Sequence, residues 1–224
     1  MIPADIIYRV LHIKYGQSIG TGFTVEVQGR QYLVTAKHIV AAATGAFTLE
    51  FLHERAWKSL SVELVGHSQN SDISVLASSQ ELPGREYKTD LTSASMIYGQ
   101  DVFFLGYPLG LYGDHPPVLQ GYPVPYVKKA TLSMFGSIAE PTIILDGINN
   151  AGFSGGPVAF QMMGTNEWKI AGAISGYLQL QQPVFDGSHP TAFHHQENTG
   201  LIQVAPISHA VELINSNPIG LELS

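Results

Sequence analysis

The sequence has no cysteine and few charged residues. Its 224 residues therefore cannot form disulfides, thiolate nucleophiles or zinc–thiolate sites. Charged residues make up 13% of the chain, about half the share in ordinary soluble domains. Hydrophobic residues reach 45%, which is too apolar for a disordered chain. The length predicts one or two compact units.

Long basic runs and long apolar runs are also missing. The net charge is −7, and the longest basic run is Lys128-Lys129, so we expect no nucleic acid partner, because neutralising phosphates requires a basic face. No stretch of about 18 apolar residues predicts a membrane span. The N-terminus lacks the basic and apolar regions of a signal peptide, which predicts a cytoplasmic location.

Glycine and proline are abundant instead, with 23 and 13 residues. Most segments alternate with period two or form short apolar runs between turn residues, a pattern typical of all-β sandwiches and barrels. A polar stretch near residue 90 divides the chain into predicted units 1–90 and 91–224, each long enough for a six-stranded antiparallel barrel. A helix is predicted over about 207–215, before Asn217-Pro218.

Residues 152–157, Gly-Phe-Ser-Gly-Gly-Pro, form the most informative segment. A nucleophilic serine needs an exposed hydroxyl and backbone N–H groups directed at the developing oxyanion. Flanking glycines allow the tight backbone that such a loop requires. Ser154 is therefore a candidate nucleophile, although the segment taken alone also fits a glycine-rich turn.

Two further segments supply a possible base and its carboxylate partner. His38 follows an apolar strand in Thr-Ala-Lys-His, and Asp72 directly precedes the apolar run Ile-Ser-Val-Leu. Each has an ordinary structural explanation, as a hydrogen-bonded histidine or as an Asx turn. Together with Ser154 they provide a nucleophile, a base that takes its proton and an acceptor for the second ring N–H of that base.

With these motifs in this order, the chain resembles trypsin-like serine peptidases of the chymotrypsin fold, and is closest in style to compact bacterial HtrA-like peptidase domains. The resemblance extends from about Gly20 to Ser208 and includes a Gly-Thr-Gly-Phe element at 20–23. It implies two barrels of chymotrypsin type, with catalysis at the cleft between them. It also implies an endopeptidase that acts on protein or peptide substrates without a metal or organic cofactor. The resemblance says nothing about oligomeric state.

By position, the resemblance makes Ser154 the acyl-forming nucleophile, His38 the general base and Asp72 the orienting carboxylate. The oxyanion hole would comprise Gly152, Phe153 and Ser154, with the N–H groups of Gly152 and Ser154 as donors. The resemblance also implies that an extended substrate peptide adds as a strand to one further segment. Its residues are Ser175, Gly176 and Tyr177.

Three positions modify these expectations. Phe153 stands where relatives carry Asp or Asn, so we expect no activation by a newly cut N-terminal amine. Lys37, next to His38, is expected to lower the pKa of the imidazole somewhat. Ile148 occupies the position of the floor of the primary pocket, which favours apolar or small side chains at the cleaved bond.

Other interpretations remain open from the sequence. A catalytically silent or gated module of the same fold that binds peptides is one, with Phe153 as its best support. An α/β-hydrolase elbow around Ser154 is another, and it would take its partners from residues later in the chain: Asp186, His189, His194, His195 and His209. Three of these histidines, at 189, 194 and 195, could also suggest a metal site, but a solvated polar loop from Gln182 to Asn198 is the expectation.

Overall fold

The computed structural model describes residues 2–84, 89–114, 119–137 and 142–223. Within these ranges the chain is mostly strand. The strands are β1 (Val10–Tyr15), β2 (Ser18–Val27), β3 (Arg30–Thr35), β4 (Ala46–His53), β5 (Ala56–His67), β6 (Ser74–Ser78), β7 (Asp90–Leu91), β8 (Asp101–Gly106), β9 (Tyr126–Phe135), β10 (Ile143–Asp146), β11 (Pro157–Gln161), β12 (Trp168–Asp186), β13 (His189–Pro206) and β14 (Leu221–Glu222). The α-helices are α1 (Ala4–Ile7) and α2 (Ile207–Ser216), and short 3₁₀ turns cover Lys37–Ile39 and Pro108–Gly110.

The first sheet is a closed antiparallel barrel. Its strand order is β3-β2-β1-β4-β5-β6, and pairing between β3 and β6 closes the ring. The predicted hairpin between β2 and β3 turns at Gln28 and Gly29, which have φ of 53° and 75°, as a two-residue type I′ turn requires. β14 adds to the outer edge of β3.

The second sheet closes in the same way. Its order is β11-β8-β9-β10-β13-β12, and pairing between β11 and β12 completes the ring, while β7 joins β12 in parallel. The predicted architecture of two six-stranded antiparallel barrels with a short C-terminal helix is therefore confirmed. The α/β-hydrolase alternative is wrong, because the segment after Ser154 continues into strand β11 and not into a helix.

A shared apolar core joins the barrels. Each barrel has its own buried cluster, and a third cluster combines residues of both, including Phe23, Val34, Leu105, Ala173 and Ile207. The position of α2 in this cluster explains why its apolar side is buried. With no cysteine in the sequence, this packing holds the two barrels together without disulfides.

The segment from Gln182 to Asn198 differs from the expectation of a loop. β12 and β13 form a long hairpin in which Gln179 pairs with Asn198 and Asp186 pairs with His189. Gly187, with φ of 62°, lies in its turn. Its side chains are mostly exposed. Main-chain pairing between the two strands therefore maintains extended structure that the polar, proline-containing composition did not predict.

His12 is a buried histidine in the first barrel, at its contact with the second. Its side chain is 3% exposed, and neither ring nitrogen has a hydrogen-bond partner in the described part of the chain. The ring stacks on Tyr107 with centroids 4.5 Å apart. The Tyr107 hydroxyl lies 2.9 Å from the carbonyl oxygen of Val10 and 3.0 Å from that of Pro123.

This burial makes the fold sensitive to acid. Desolvation lowers the pKa of His12 to about 4, whereas the unfolded chain binds a proton near pH 6.5. As the pH falls through this window, only the unfolded state gains the proton, so stability is lost. We expect His12 to remove about 2 kcal/mol of unfolding free energy between pH 7.5 and pH 5.

Urea unfolding of wild type and His12→Phe at these two pH values measures the effect. The phenyl ring retains the aromatic stacking but cannot be protonated, so the stability difference between the two proteins should change with pH. The matched control is His194→Phe, at an exposed position of the β12–β13 hairpin. A difference between wild type and His12→Phe that is the same at both pH values would contradict the prediction.

Candidate active site

The structure brings His38 and Asp72 together at the edge of the first barrel. His38 lies in the 3₁₀ turn after β3, and Asp72 lies between β5 and β6. Nδ1 of His38 is 2.7 Å from Oδ2 of Asp72, and the backbone N–H of His38 donates to Oδ1 at 2.9 Å. The carboxylate therefore fixes both the ring and the main chain of the histidine.

This pairing also sets the protonation of the imidazole. The hydrogen bond that His38 donates to Asp72, helped by the negative charge of the carboxylate, raises the pKa of His38, although partial burial opposes the shift. The pKa of His38 is therefore raised, the opposite of the direction expected from its neighbour Lys37. The Lys37 ammonium donates to the carbonyl of Ser68 at 2.8 Å.

Ser154 lies on the turn that leads from β10 into β11 of the second barrel. The N–H of Gly155 donates to the carbonyl of Ile174 at 2.7 Å, and the N–H of Ile174 donates to Gly156 at 2.8 Å. The turn is thereby fixed alongside β12. No hydrogen bond joins the side chains of Ser154 and His38 anywhere in the described ranges, and Nε2 of His38 has no hydrogen bond there either.

Thr21 of β2 connects the turn that carries Ser154 to the first barrel by two hydrogen bonds. Its N–H donates to the carbonyl of Ser154 at 2.8 Å, and its hydroxyl donates to the carbonyl of Gly152, also at 2.8 Å. The Thr21 carbonyl accepts from the hydroxyl of Thr35 at 2.8 Å. The Gly-Thr-Gly-Phe element therefore positions the serine relative to His38, a role that the sequence alone did not assign to Thr21.

The main-chain N–H groups of Gly152 and Ser154 donate to no other group in the part of the chain that the structure describes. Gly152 has φ of 102°, a value that favours glycine. A Cβ at this position would lie closer than 3.0 Å to the carbonyl oxygen of Tyr107. Two N–H groups on one tight turn are therefore free to bind an oxyanion.

Phe153 anchors the same turn in the core of the second barrel. Its side chain is fully buried and meets Phe104 edge to face, with ring centroids 4.8 Å apart. An apolar anchor thus stands where relatives carry a carboxylate or amide, and it holds the turn through packing and not through an ion pair.

The segment Ser175–Tyr177 lies beside the proposed site. Ser175 was expected to bind a substrate peptide, but its side chain contacts Asp72 instead. The Ser175 hydroxyl donates to Oδ2 of Asp72 at 2.9 Å, so it supports the carboxylate. Pairing of β12 with β11 ends at Ala173. Gly176 and Tyr177 pair with β13 on their other side, and within the described ranges no strand pairs with them on the β11 side.

The predicted pocket floor, Ile148, is half exposed, at 52%. Its carbonyl accepts a hydrogen bond from the Lys128 ammonium, which also bonds Oδ1 of Asn150 at 3.1 Å. Desolvation lowers the pKa of Lys128. The neighbouring Asn149 is buried and donates to the carbonyl of Gly176 at 3.3 Å. Sequence reasoning missed both Lys128 and Asn149, because nothing local marks them.

The remaining candidate histidines lie elsewhere. His189, His194 and His195 are exposed on the β12–β13 hairpin, and Asp186 pairs with His189 across its turn. His209 is buried in α2, 3.4 Å from Glu212. Within the described ranges, no three His, Asp or Glu side chains are close enough to hold a metal ion. No helix in those ranges is long and apolar enough to cross a membrane.

Comparison with known proteins gives a family and a fold. A family model described as a trypsin-like peptidase domain matches residues 20–162. The protease Rv3671c from M. tuberculosis, in an inactive form, is 16% identical with a TM-score of 0.59; the alignment covers 96% of this chain and 91% of that one. A serine endoprotease from Yersinia pestis is 17% identical with a TM-score of 0.60, covering 96% and 67%.

A third solved structure, a variant of the HtrA-type protease AlgW with a tripeptide, is 20% identical with a TM-score of 0.59, and the alignment covers 95% of this chain and 61% of that one. No curated protein matches the sequence. These three solved structures share the fold with this chain, and each is named as a protease.

Proposed function

Since the chain belongs to the trypsin-like peptidase family, we propose that it is an active serine endopeptidase in which Ser154, His38 and Asp72 cleave protein substrates through an acyl-enzyme. The observation that carries the proposal is the bonded His38–Asp72 pair in a barrel to which Thr21 joins the serine turn, a turn with two N–H groups that have no acceptor among the described residues. No metal or organic cofactor enters the reaction.

In the proposed reaction, Ser154 Oγ attacks the carbonyl carbon of the substrate while Nε2 of His38 takes its proton. The oxyanion accepts hydrogen bonds from the N–H groups of Gly152 and Ser154. His38 then protonates the leaving amine, and the C–N bond breaks. Water, activated in turn by His38, hydrolyses the ester and restores Ser154. The absent Ser154–His38 bond is compatible with this scheme, because such bonds often tighten only with substrate.

Substrate binding follows from the edge of β12. An extended peptide would add to the free edge of Ser175–Tyr177 and place the cleaved bond over Ser154. We propose an apolar or small side chain before the cleaved bond. The Ile148 side chain is apolar, and the Lys128 ammonium at its carbonyl disfavours a substrate Lys or Arg. The buried Phe153 removes any need for an N-terminal amine to order the turn.

Labelling with a fluorophosphonate probe tests the proposal. The wild type should be labelled between pH 6 and 9, while Ser154→Ala and His38→Ala should lose the label. The reason is that the probe reacts with an activated serine hydroxyl. Ser133→Ala, at an exposed position of β9, serves as the matched control and should be labelled like the wild type. A wild type that takes no label at any of these pH values would favour the silent peptide-binding module instead.

A further inference from the structure

Leu109 is an exposed leucine held in an unfavourable backbone conformation. Its φ is 54°, and its side chain is 72% exposed. The other described non-glycine residues with positive φ are all polar: Gln28, Glu54, Arg55 and Gln120. Leucine is disfavoured in the left-handed region, which glycine and asparagine adopt at less cost. Strained residues concentrate at functional sites, so this leucine calls for a functional explanation.

The turn that carries Leu109 packs directly on the proposed oxyanion loop. The N–H of Leu109 donates to the carbonyl of Ala151 at 2.7 Å, and the N–H of Gly110 donates to Tyr107 at 3.1 Å. The backbone nitrogen of Leu109 would lie 3.0 Å from a Cβ on Gly152. The main chain is thereby fixed beside the loop, while the leucine side chain faces solvent.

The strand order places Leu109 and Ser175 on opposite sides of Ser154. β11, which begins just after the serine turn, pairs with β12 on one side and with β8 on the other. Ser175 continues β12, whereas the turn with Leu109 follows β8. When the part of a substrate before the cleaved bond lies along Ser175–Tyr177, the chain therefore crosses Ser154. The part after the cleaved bond then continues over the Leu109 turn.

We infer that Leu109 contacts the substrate residue that follows the cleaved bond and gives the site a preference for an apolar side chain there. This inference rests on the proposed function. Contact with substrate buries apolar surface that the free protein exposes to water, which accounts for a leucine at a position where asparagine or glycine would fit the backbone better.

Partitioning of the acyl-enzyme between two amines tests the inference. The wild type is acylated with the p-nitrophenyl ester of N-acetyl-leucine in the presence of equal concentrations of leucinamide and glycinamide. Each amine nitrogen replaces Ser154 Oγ on the acyl carbon, and the proton it loses returns to Ser154 through His38. Mass spectrometry gives the ratio of the two products, which does not depend on how fast the acyl-enzyme forms.

We expect the wild type to favour leucinamide, and Leu109→Asn to lower the ratio about fivefold, because the variant tolerates the left-handed backbone but loses the apolar contact. The matched control Leu109→Met retains an apolar side chain and should retain the preference. If Leu109→Asn does not fold, Leu109→Gly provides the same measurement, since glycine adopts positive φ freely.

Two negative outcomes are distinguishable. If the wild type releases no more nitrophenolate than Ser154→Ala, no acyl-enzyme forms, and the proposed function fails together with the inference. If acyl-enzyme forms and Leu109→Asn keeps the wild-type ratio, the inference alone is overturned.

Discussion

Asp72→Asn is expected to lower kcat about 10⁴-fold near pH 7. Asp72 accepts a hydrogen bond from the Nδ1–H of His38, which keeps the ring proton on Nδ1 and leaves Nε2 able to take the proton of Ser154. An asparagine amide donates to Nδ1 instead, so the ring carries its proton on Nε2 and cannot act as a base. KM should change little, because Asp72 is proposed to hold His38 and not to touch substrate.

The same variant should also move the pH profile. Activity needs the neutral imidazole, and Asp72 raises the pKa of His38, so the acid limb of kcat/KM in the wild type lies above pH 6.5. Without the carboxylate, the residual activity should fall off at a lower pH. Steady-state kinetics from pH 5 to 9 measures both effects.

Asp101→Asn is the matched control for this experiment. Asp101 is exposed on β8 and pairs with Lys129 at 2.8 Å, so its loss should change neither kcat nor the acid limb. If Asp72→Asn kept kcat within tenfold of the wild type, Asp72 would not be the partner of a catalytic histidine.

Gly152→Ala is expected to lower kcat by about 10²–10³-fold, the usual effect of losing one oxyanion donor. The added Cβ would meet the carbonyl oxygen of Tyr107 closer than 3.0 Å, and the φ of 102° is strained for alanine. Because the Tyr107 carbonyl is backbone, it cannot simply rotate away. The turn must shift, and the N–H of residue 152 shifts with it.

Gly164→Ala is the control that shows the effect of backbone strain alone, at a position outside the proposed oxyanion hole. Gly164 has φ of 77°, and a Cβ there would meet nothing within 4 Å, so this variant carries the strain of a positive φ without the clash. Thermal unfolding and kcat are measured for both variants. An unchanged kcat in folded Gly152→Ala would remove Gly152 from the oxyanion hole.

The fold was predictable because short-range signals agreed along the chain. Period-two strands, glycine turns and the stop at Asn217-Pro218 each depend on neighbouring residues only. The hairpin from Gln182 to Asn198 was not predictable in this way. Its polar residues and Pro183 indicate a loop, and the main-chain pairing of β12 with β13 across the turn is what makes them extended.

The candidate site was predictable where residue type and local sequence carry the chemistry. His38, Asp72 and Ser154 stand in short recognisable segments, and the structure brings His38 and Asp72 into contact. Lys128 and Leu109 had no such signal, because their roles depend on which main-chain groups approach them from other strands. The sequence marked Phe153 as unusual but could not identify Phe104, the ring it packs against.

The position of β14 has a consequence for the order of folding during synthesis. β14 pairs with β3, the strand that leads into His38, yet its residues are made after Ser154 and the whole second barrel. Chains emerge from the ribosome at about 5–20 residues per second, so β3 gains its outer partner seconds after it leaves the tunnel. Because β14 pairs with Arg30 and Gln31 at the start of β3, we expect this pairing to form last, after the other strands of both barrels have been made.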